Sequence, residues 1–179
     1  MRIITGKFRG KRLYTLDGDL TRPTSDKVKE SVFNILSSMG KTEGRVLDLF
    51  AGSGSLGLEA LSRGASDAVF VDKNPKAVAV IKKNILLTGA TARVYNTDWK
   101  VAVRKSEGSK FDMIFIDPPY ALGIEEEIIK EIENKQLLSE DGIMIIEHDS
   151  ANNFSYDENK YVSDRREYRG TTITFLRKV

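Results

Sequence analysis

Apolar positions between residues 26 and 39 return at helical spacing, with Val28, Val32, Ile35, Leu36 and Met39 falling on one face. Within "RPTSDKVKESVFNILSSMG", Thr24, Ser25 or Asp26 offers an N-cap and Gly40 a stop, so the stretch predicts a helix facing a core. From Arg45 the pattern changes. Strand-like apolar runs ("RVLDLF", "DAVFVD", "ARVYNTD", "FDMIFID", "GIMIIEHD") alternate with helical ones ("SLGLEALSRG", "PKAVAVIKKNILLTG", "IEEEIIKEIENK"). That alternation predicts βαβ units around a mostly parallel sheet with helices on both faces. The closing "TTITFLRK" alternates with period two after "YVSDRREYRG", which predicts an antiparallel hairpin on the sheet edge. The chain contains no internal repeat, linker or low-complexity stretch.

A chain of 179 residues, 40% of them apolar, fits one domain with at most a small appendage. It has no Cys and a single His, so disulfides and thiolate metal sites are excluded, and a histidine-built metal centre or triad is disfavoured; no metal is expected. No apolar run approaches the roughly 18 residues that span a bilayer, and "MRIITGKFRGKRL" lacks the apolar centre of a signal peptide. These features predict a cytoplasmic protein with no membrane partner, in which the sequon at Asn153 is a chance match.

Net charge is +2, but it is unevenly spread. Residues 1–29 carry Arg2, Lys7, Arg9, Lys11, Arg12, Arg22, Lys27 and Lys29 against three Asp, a balance of +5, and the remainder sums to −3. Such asymmetry points to a polyanionic partner, because Lys and Arg displace condensed counterions from phosphates. A merely solvated basic arm remains the other reading.

"VLDLFAGSGSLGLEAL" sets Gly52, Gly54 and Gly57 in G-x-G-x-x-G spacing between a strand and a helix, and Asp72 ends the next strand 20 residues beyond Gly52. A nicotinamide cofactor is the first reading. Asp48 opposes it, since a carboxylate at the strand end faces the space a pyrophosphate would fill, and like charges repel in a partly dry site. S-adenosyl-L-methionine has a ribose, an amino group and a sulfonium but no phosphate, and suits the same acids. Asp48 and Asp72 can also act as caps, which is compatible with ligand binding. Asp98 would meet an adenine amino group, with Trp99 as an apolar or stacking wall. "GKT" at 40–42 fails as a phosphate loop because Ile35 stands where a glycine is required, and the lone His148 reads as structural.

"FIDPPY" delivers Asp117 to the crevice beyond the strand ends, followed by prolines that stiffen the loop and leave their carbonyls as acceptors. Asp117 and the Pro118 carbonyl match the two hydrogens of an exocyclic amino group, and Tyr120 offers a face for a planar base. An aromatic amine held by both N–H bonds can turn its lone pair toward an incoming methyl group, and the carboxylate stabilises the charge that develops on nitrogen. The base must be unpaired or flipped out to enter.

With these pieces in place, the sequence resembles the class I S-adenosylmethionine-dependent methyltransferases, and more narrowly the RsmD-type family of bacterial small-subunit ribosomal RNA guanine-N2 methyltransferases. "RIITGKFRGKRL", "RPTSDKVKESVFNIL", "LDLFAGSGSLGLEALSRGA", "DPPY" and "REYRGTTITFLRK" carry the likeness over almost the whole chain. The resemblance implies a Rossmann-like α/β fold with a seven-stranded sheet and cofactor contacts from Asp48, Phe50, Gly52, Gly54, Asp72, Asp98 and Trp99. Asp117, Pro118 and Tyr120 would hold the target amine. It further implies that residues 1–22 form a basic extension touching 16S ribosomal RNA through Arg2, Lys7, Arg9, Lys11, Arg12 and Arg22, ahead of a methyltransferase domain at 23–179. The contact would continue through Thr24, Asp26, Lys27 and Lys29, with Arg22, Thr24 and Asp26 close to the crevice. The substrate would be an assembled or assembling small subunit. Three other classes stay open: an adenine-N6 methyltransferase of DNA or another RNA, the DNA enzymes usually having a target-recognition region for which the chain lacks room; an NAD-dependent oxidoreductase; and a binding-only RNA module, against which the strand-end acids speak.

Overall fold

The computed structural model describes residues 1–16 and 25–179; the expectations for Arg22 and Thr24, and the boundary at 22/23, lie outside the described residues. Among the described residues seven strands form one sheet: β1 (Arg45–Asp48), β2 (Asp67–Asp72), β3 (Arg93–Asn96), β4 (Phe111–Ile116), β5 (Leu138–His148), β6 (Tyr161–Tyr168) and β7 (Thr171–Lys178). Their order is β3-β2-β1-β4-β5-β7-β6. The first five run parallel, and β7 is antiparallel to both β5 and β6, which is the expected edge hairpin. Five helices accompany them among the described residues: α1 (Asp26–Ser38), α2 (Ser55–Arg63), α3 (Pro75–Thr88), α4 (Trp99–Lys105) and α5 (Glu125–Asn134). None is long and apolar enough to cross a membrane.

The central strands are apolar at consecutive positions because both faces are covered. On β4, Met113 and Phe115 join one core with Val32, Phe33 and Leu36 of α1, Leu58 and Leu61 of α2, and Ile81 of α3. Ile114 and Ile116 point the other way, onto Val103 of α4 and Ile128, Ile129 and Ile132 of α5. Of the three candidate caps for α1, Ser25 does the work, its hydroxyl accepting from the Val28 N–H at 3.2 Å. Chain order runs outward from β1 through β2 to β3, then crosses back to β4. The reversal opens a crevice beyond the carboxyl ends of β1 and β4, where open α/β sheets bind ligands.

The basic N-terminal segment is packed into this body. It folds back on itself, the Ile3 N–H donating to the Lys11 carbonyl at 3.0 Å and the Gly10 N–H to the Ile3 carbonyl at 2.9 Å. Ile3, Phe8 and Leu13 thereby enter the core. Glu59 of α2 fastens the turn: its carboxylate accepts from the Ile4 N–H at 2.8 Å and the Thr5 N–H at 3.0 Å, and pairs with Arg63 at 2.8 Å. Lys29 must be corrected. Counted as a basic residue facing a polyanion, it is fully buried, donates to the Arg2 carbonyl at 2.6 Å and lies 3.7 Å from Glu59. It cannot reach RNA from there.

Candidate active site

Four acids line the carboxyl ends of four adjacent strands. In sheet order they are Asp72 on β2, Asp48 on β1, Asp117 immediately after β4, and Glu147 on β5. Asp48 is buried, and its pKa is pushed up from 3.8 to about 7 by loss of solvent, against the Gly57 N–H that donates to it at 3.2 Å and with repulsion from Asp72. Asp117 is held well above the usual carboxylate range by desolvation first, then by the charges of Glu147 and Asp48. Such a row is electrostatically unfavourable by itself and is relieved by a cation.

The glycines of the β1–α2 turn and the first turn of α2 have three separate tasks. Gly52 and Gly54 adopt left-handed backbone, with φ of 55° and 78°, which turns the chain sharply above the strand. Open space surrounds the position a Cβ would take on Gly52, whereas a Cβ on Gly57 would lie 2.3 Å from the ring of Phe70. The first glycine therefore leaves room for a ligand and the third lets helix meet strand. Asp72 holds the loop from below, accepting from the Gly52 N–H at 2.9 Å and the Asn74 N–H at 2.8 Å. Asp48 thus caps α2, as foreseen, whereas the N-cap of α3 is Asn74, whose side chain accepts from the Lys76 N–H, and Asp72 braces the loop instead.

Asp98 is exposed and caps α4, its carboxylate accepting from the Lys100 N–H at 2.8 Å. Trp99 opens that short helix, which the sequence pattern did not foretell, and its ring is 7% exposed within the second core. An open stacking face is thereby excluded for Trp99, and a wall packed behind the crevice remains. Phe50 is half-buried against the same core.

After Asp117, Pro118 is buried and Pro119 leads into a single 3-10 turn, Tyr120–Leu122. The carbonyl of Pro119 accepts from the Leu122 N–H at 3.0 Å, so the expectation that both proline carbonyls serve the crevice holds at most for Pro118. Tyr120 is fixed at its far end. Its hydroxyl lies 3.0 Å from Glu147 Oε1 and 2.9 Å from Thr171 Oγ1. Burial, opposed by the Thr171 contact and reinforced by the charges of Glu147 and Asp117, raises the phenol above its ordinary value and keeps it a donor.

Glu147 and Thr171 escaped the sequence reading, although an acid at the end of "GIMIIE" was the available signal. The neighbouring His148 is structural: Nδ1 faces the carbonyls of Asp149 and Asn152, each at 3.0 Å, which only accept. Nδ1 therefore carries the proton, and Nε2 accepts from the Thr174 hydroxyl at 3.0 Å. Of the basic residues, Arg2, Lys7, Arg9, Lys11, Arg12 and Lys27 are all exposed. Arg2 lies 3.8 Å from Asp26, and Lys11 is bound to the end of α3.

The family described as Conserved hypothetical protein 95 matches residues 1–177. An Escherichia coli protein, ribosomal RNA small subunit methyltransferase D, is 35% identical over 85% of this chain and 76% of its own length. The chain belongs to the ribosomal RNA small subunit methyltransferase D family. A Bacillus subtilis relative, provisionally named as an rRNA methyltransferase, is 40% identical over 96% of this chain and 95% of its own. A solved Escherichia coli structure provisionally named a methyltransferase superposes with a TM-score of 0.87 at 32% identity, covering 99% of this chain and 98% of that one. The family's fold is Rossmann-like, of the class I methyltransferase kind, and the strand order and C-terminal hairpin described above conform to it.

Proposed function

We propose that this protein transfers a methyl group from S-adenosyl-L-methionine to the exocyclic N2 amino group of a guanine in 16S ribosomal RNA of the small ribosomal subunit, working in the cytoplasm. The row formed by Asp72, Asp48, Asp117 and Glu147 carries the reading, because it favours a cationic donor and an amine that becomes positive, and opposes a pyrophosphate. When bound, the cofactor supplies an electrophilic methyl group on a sulfonium.

Asp72 would hold the ribose hydroxyls, Gly52 and Gly54 would let the ligand approach the backbone, Asp48 would face its positive charge, and Asp98 would accept from the adenine amino group. Phe50 and Trp99 would wall the adenine side. Asp117 and the Pro118 carbonyl would accept the two N–H bonds of the target amine, and Tyr120 would stack on the base. Asp117 would stabilise the positive charge that nitrogen gains on accepting the methyl group, and the proton would then leave to Asp117 or water. Exposed Arg2, Lys7, Arg9, Lys11, Arg12 and Lys27 would meet phosphates, together with Arg22 and Thr24.

The test is methyl incorporation from labelled cofactor into small subunits, naked 16S RNA and duplex DNA, followed by digestion to nucleosides. N2-methylguanosine from either RNA substrate is expected. Label on adenine N6, or in DNA alone, would overturn the assignment.

A further inference from the structure

Two stretches of the chain are rich in basic residues and free of acids, and the fold joins them. Residues 1–16 hold Arg2, Lys7, Arg9, Lys11 and Arg12; residues 73–97 hold Lys73, Lys76, Lys82, Lys83 and Arg93. The Lys11 ammonium donates to the carbonyls of Leu87 at 2.8 Å and Thr88 at 3.2 Å, at the end of α3. Tyr14 and Asn84 exchange two hydrogen bonds, backbone N–H to Oδ1 at 2.8 Å and Nδ2 to backbone carbonyl at 2.9 Å. Among the exposed positions of α3, Lys76, Ala79, Lys82, Lys83 and Leu86 fall at helical spacing and make one outward stripe. At its other end α3 starts beside Asp72, through the Asn74 N–H. The helix therefore runs from the mouth of the crevice to the N-terminal segment, with lysines outward along the way. Arg93 is excluded from this surface because its guanidinium is paired with Asp67.

We infer that the outward face of α3 is an RNA-binding surface, continuous with the N-terminal segment, along which the phosphate backbone of the substrate strand lies while its guanine enters the crevice. The inference rests on the proposed function and extends it to residues 73–83. Phosphates fit because a run of cations with no acid inside either stretch is the footprint of a polyanion. Tyr14, 56% exposed, and Leu86, 82% exposed, interleave apolar surface on which an unpaired base can stack.

The experiment measures binding of the full chain to 16S RNA and to small subunits across a salt series, with cofactor binding followed by calorimetry. Lys82→Glu combined with Lys83→Glu is compared with Lys105→Glu combined with Lys130→Glu, which alters exposed lysines of α4 and α5 on the opposite sheet face. The α3 variant is expected to bind RNA at least tenfold more weakly, with a log–log salt slope shallower by about 2, and to bind cofactor as the wild type does. The control variant should match the wild type. Lysine acetylation read by mass spectrometry should show RNA protecting Lys76, Lys82 and Lys83, but not Lys105 or Lys130. Unchanged affinity and slope in the α3 variant, or absence of protection, would overturn the surface while leaving the proposed function intact. Wild-type protein with no salt-dependent binding to either substrate would overturn both.

Discussion

The hydroxyl of Tyr120 lies 3.0 Å from the carboxylate of Glu147, one strand beyond the acid that the target amine would meet. The contact fixes the ring that, on the proposed function, would face the base, and Glu147 adds charge beside Asp117; Glu147 would then be a positioning residue. Tyr120→Phe keeps the ring and removes the tether. We expect roughly a tenfold loss of kcat, the scale of one hydrogen bond to a charged group, with cofactor affinity unchanged. Single-turnover kinetics with calorimetry checks both halves, and equal kcat for the two proteins would refute the tether.

Asp117→Ala should bind cofactor within a few-fold of wild type and lose methyl transfer by on the order of 10²–10³, the usual consequence of removing a group that stabilises transition-state charge. Turnover near the wild-type rate would show that the amine is not held by this carboxylate. Since desolvation and neighbouring charge raise its pKa, the wild-type rate should also climb with pH beyond the ordinary carboxylate range.

Asp48 gives a pH prediction with a definite sign. Its folded pKa, about 7, exceeds the ordinary 3.8, so the folded state retains a proton that the unfolded chain has released. Stability from this group is fully present below about pH 4, falls as pH rises toward 7, and is constant above, a change on the order of 4 kcal/mol. Asp48→Asn should therefore melt higher than wild type at pH 8 in the absence of ligand. Cofactor binding should show the opposite trend: wild-type affinity rises with pH through about 7, as the carboxylate that faces a cation ionises, whereas the Asn variant gives a flat, weak profile. Calorimetry at pH 6 and pH 8 would expose a failure of either trend.

Gly57→Ala would push a methyl group to 2.3 Å from the fully buried Phe70 ring, and we expect a loss of about 1–3 kcal/mol of stability from overpacking. Coupling to Phe70→Leu in a double-mutant cycle tests the cause. If the two changes add independently, the clash is not the mechanism.

Glu59→Gln removes the charge that Lys29 and Arg63 share. Breaking a buried pair by neutralising one partner costs roughly 3–5 kcal/mol, and the Lys29 ammonium, already lowered in pKa by burial, would be left without its carboxylate. Faster amide exchange at Ile4 and Thr5 is expected ahead of global unfolding, since both N–H groups lose a charged acceptor.

The parallel core was legible because β1, β2 and β4 carry consecutive apolar positions, and the site because glycines and acids fall at strand ends by spacing alone. Asp48, Asp72 and Asp117 needed only that their strands be parallel. Glu147 and Glu59 were hidden for a different reason. Each looks like an ordinary polar residue in an apolar run, and its partners lie far along the chain: Glu147 meets Tyr120, and Glu59 meets Ile4, Thr5 and Lys29. Lys29 misled because local charge density says nothing about burial. The second basic stretch was masked by summing residues 30–179 to a single negative balance, although 73–97 contain no acid.

The attachment of Ile4 and Thr5 to Glu59 spans 55 and 54 residues. A ribosome therefore releases the opening segment well before its docking site on α2 has been synthesised, and closing so long a loop has an entropic cost that only the completed helix can offset. The segment around Ile4 and Thr5 is thus obliged to wait, and nascent protein truncated before Arg63 would leave Ile3, Phe8 and Leu13 with no core to enter.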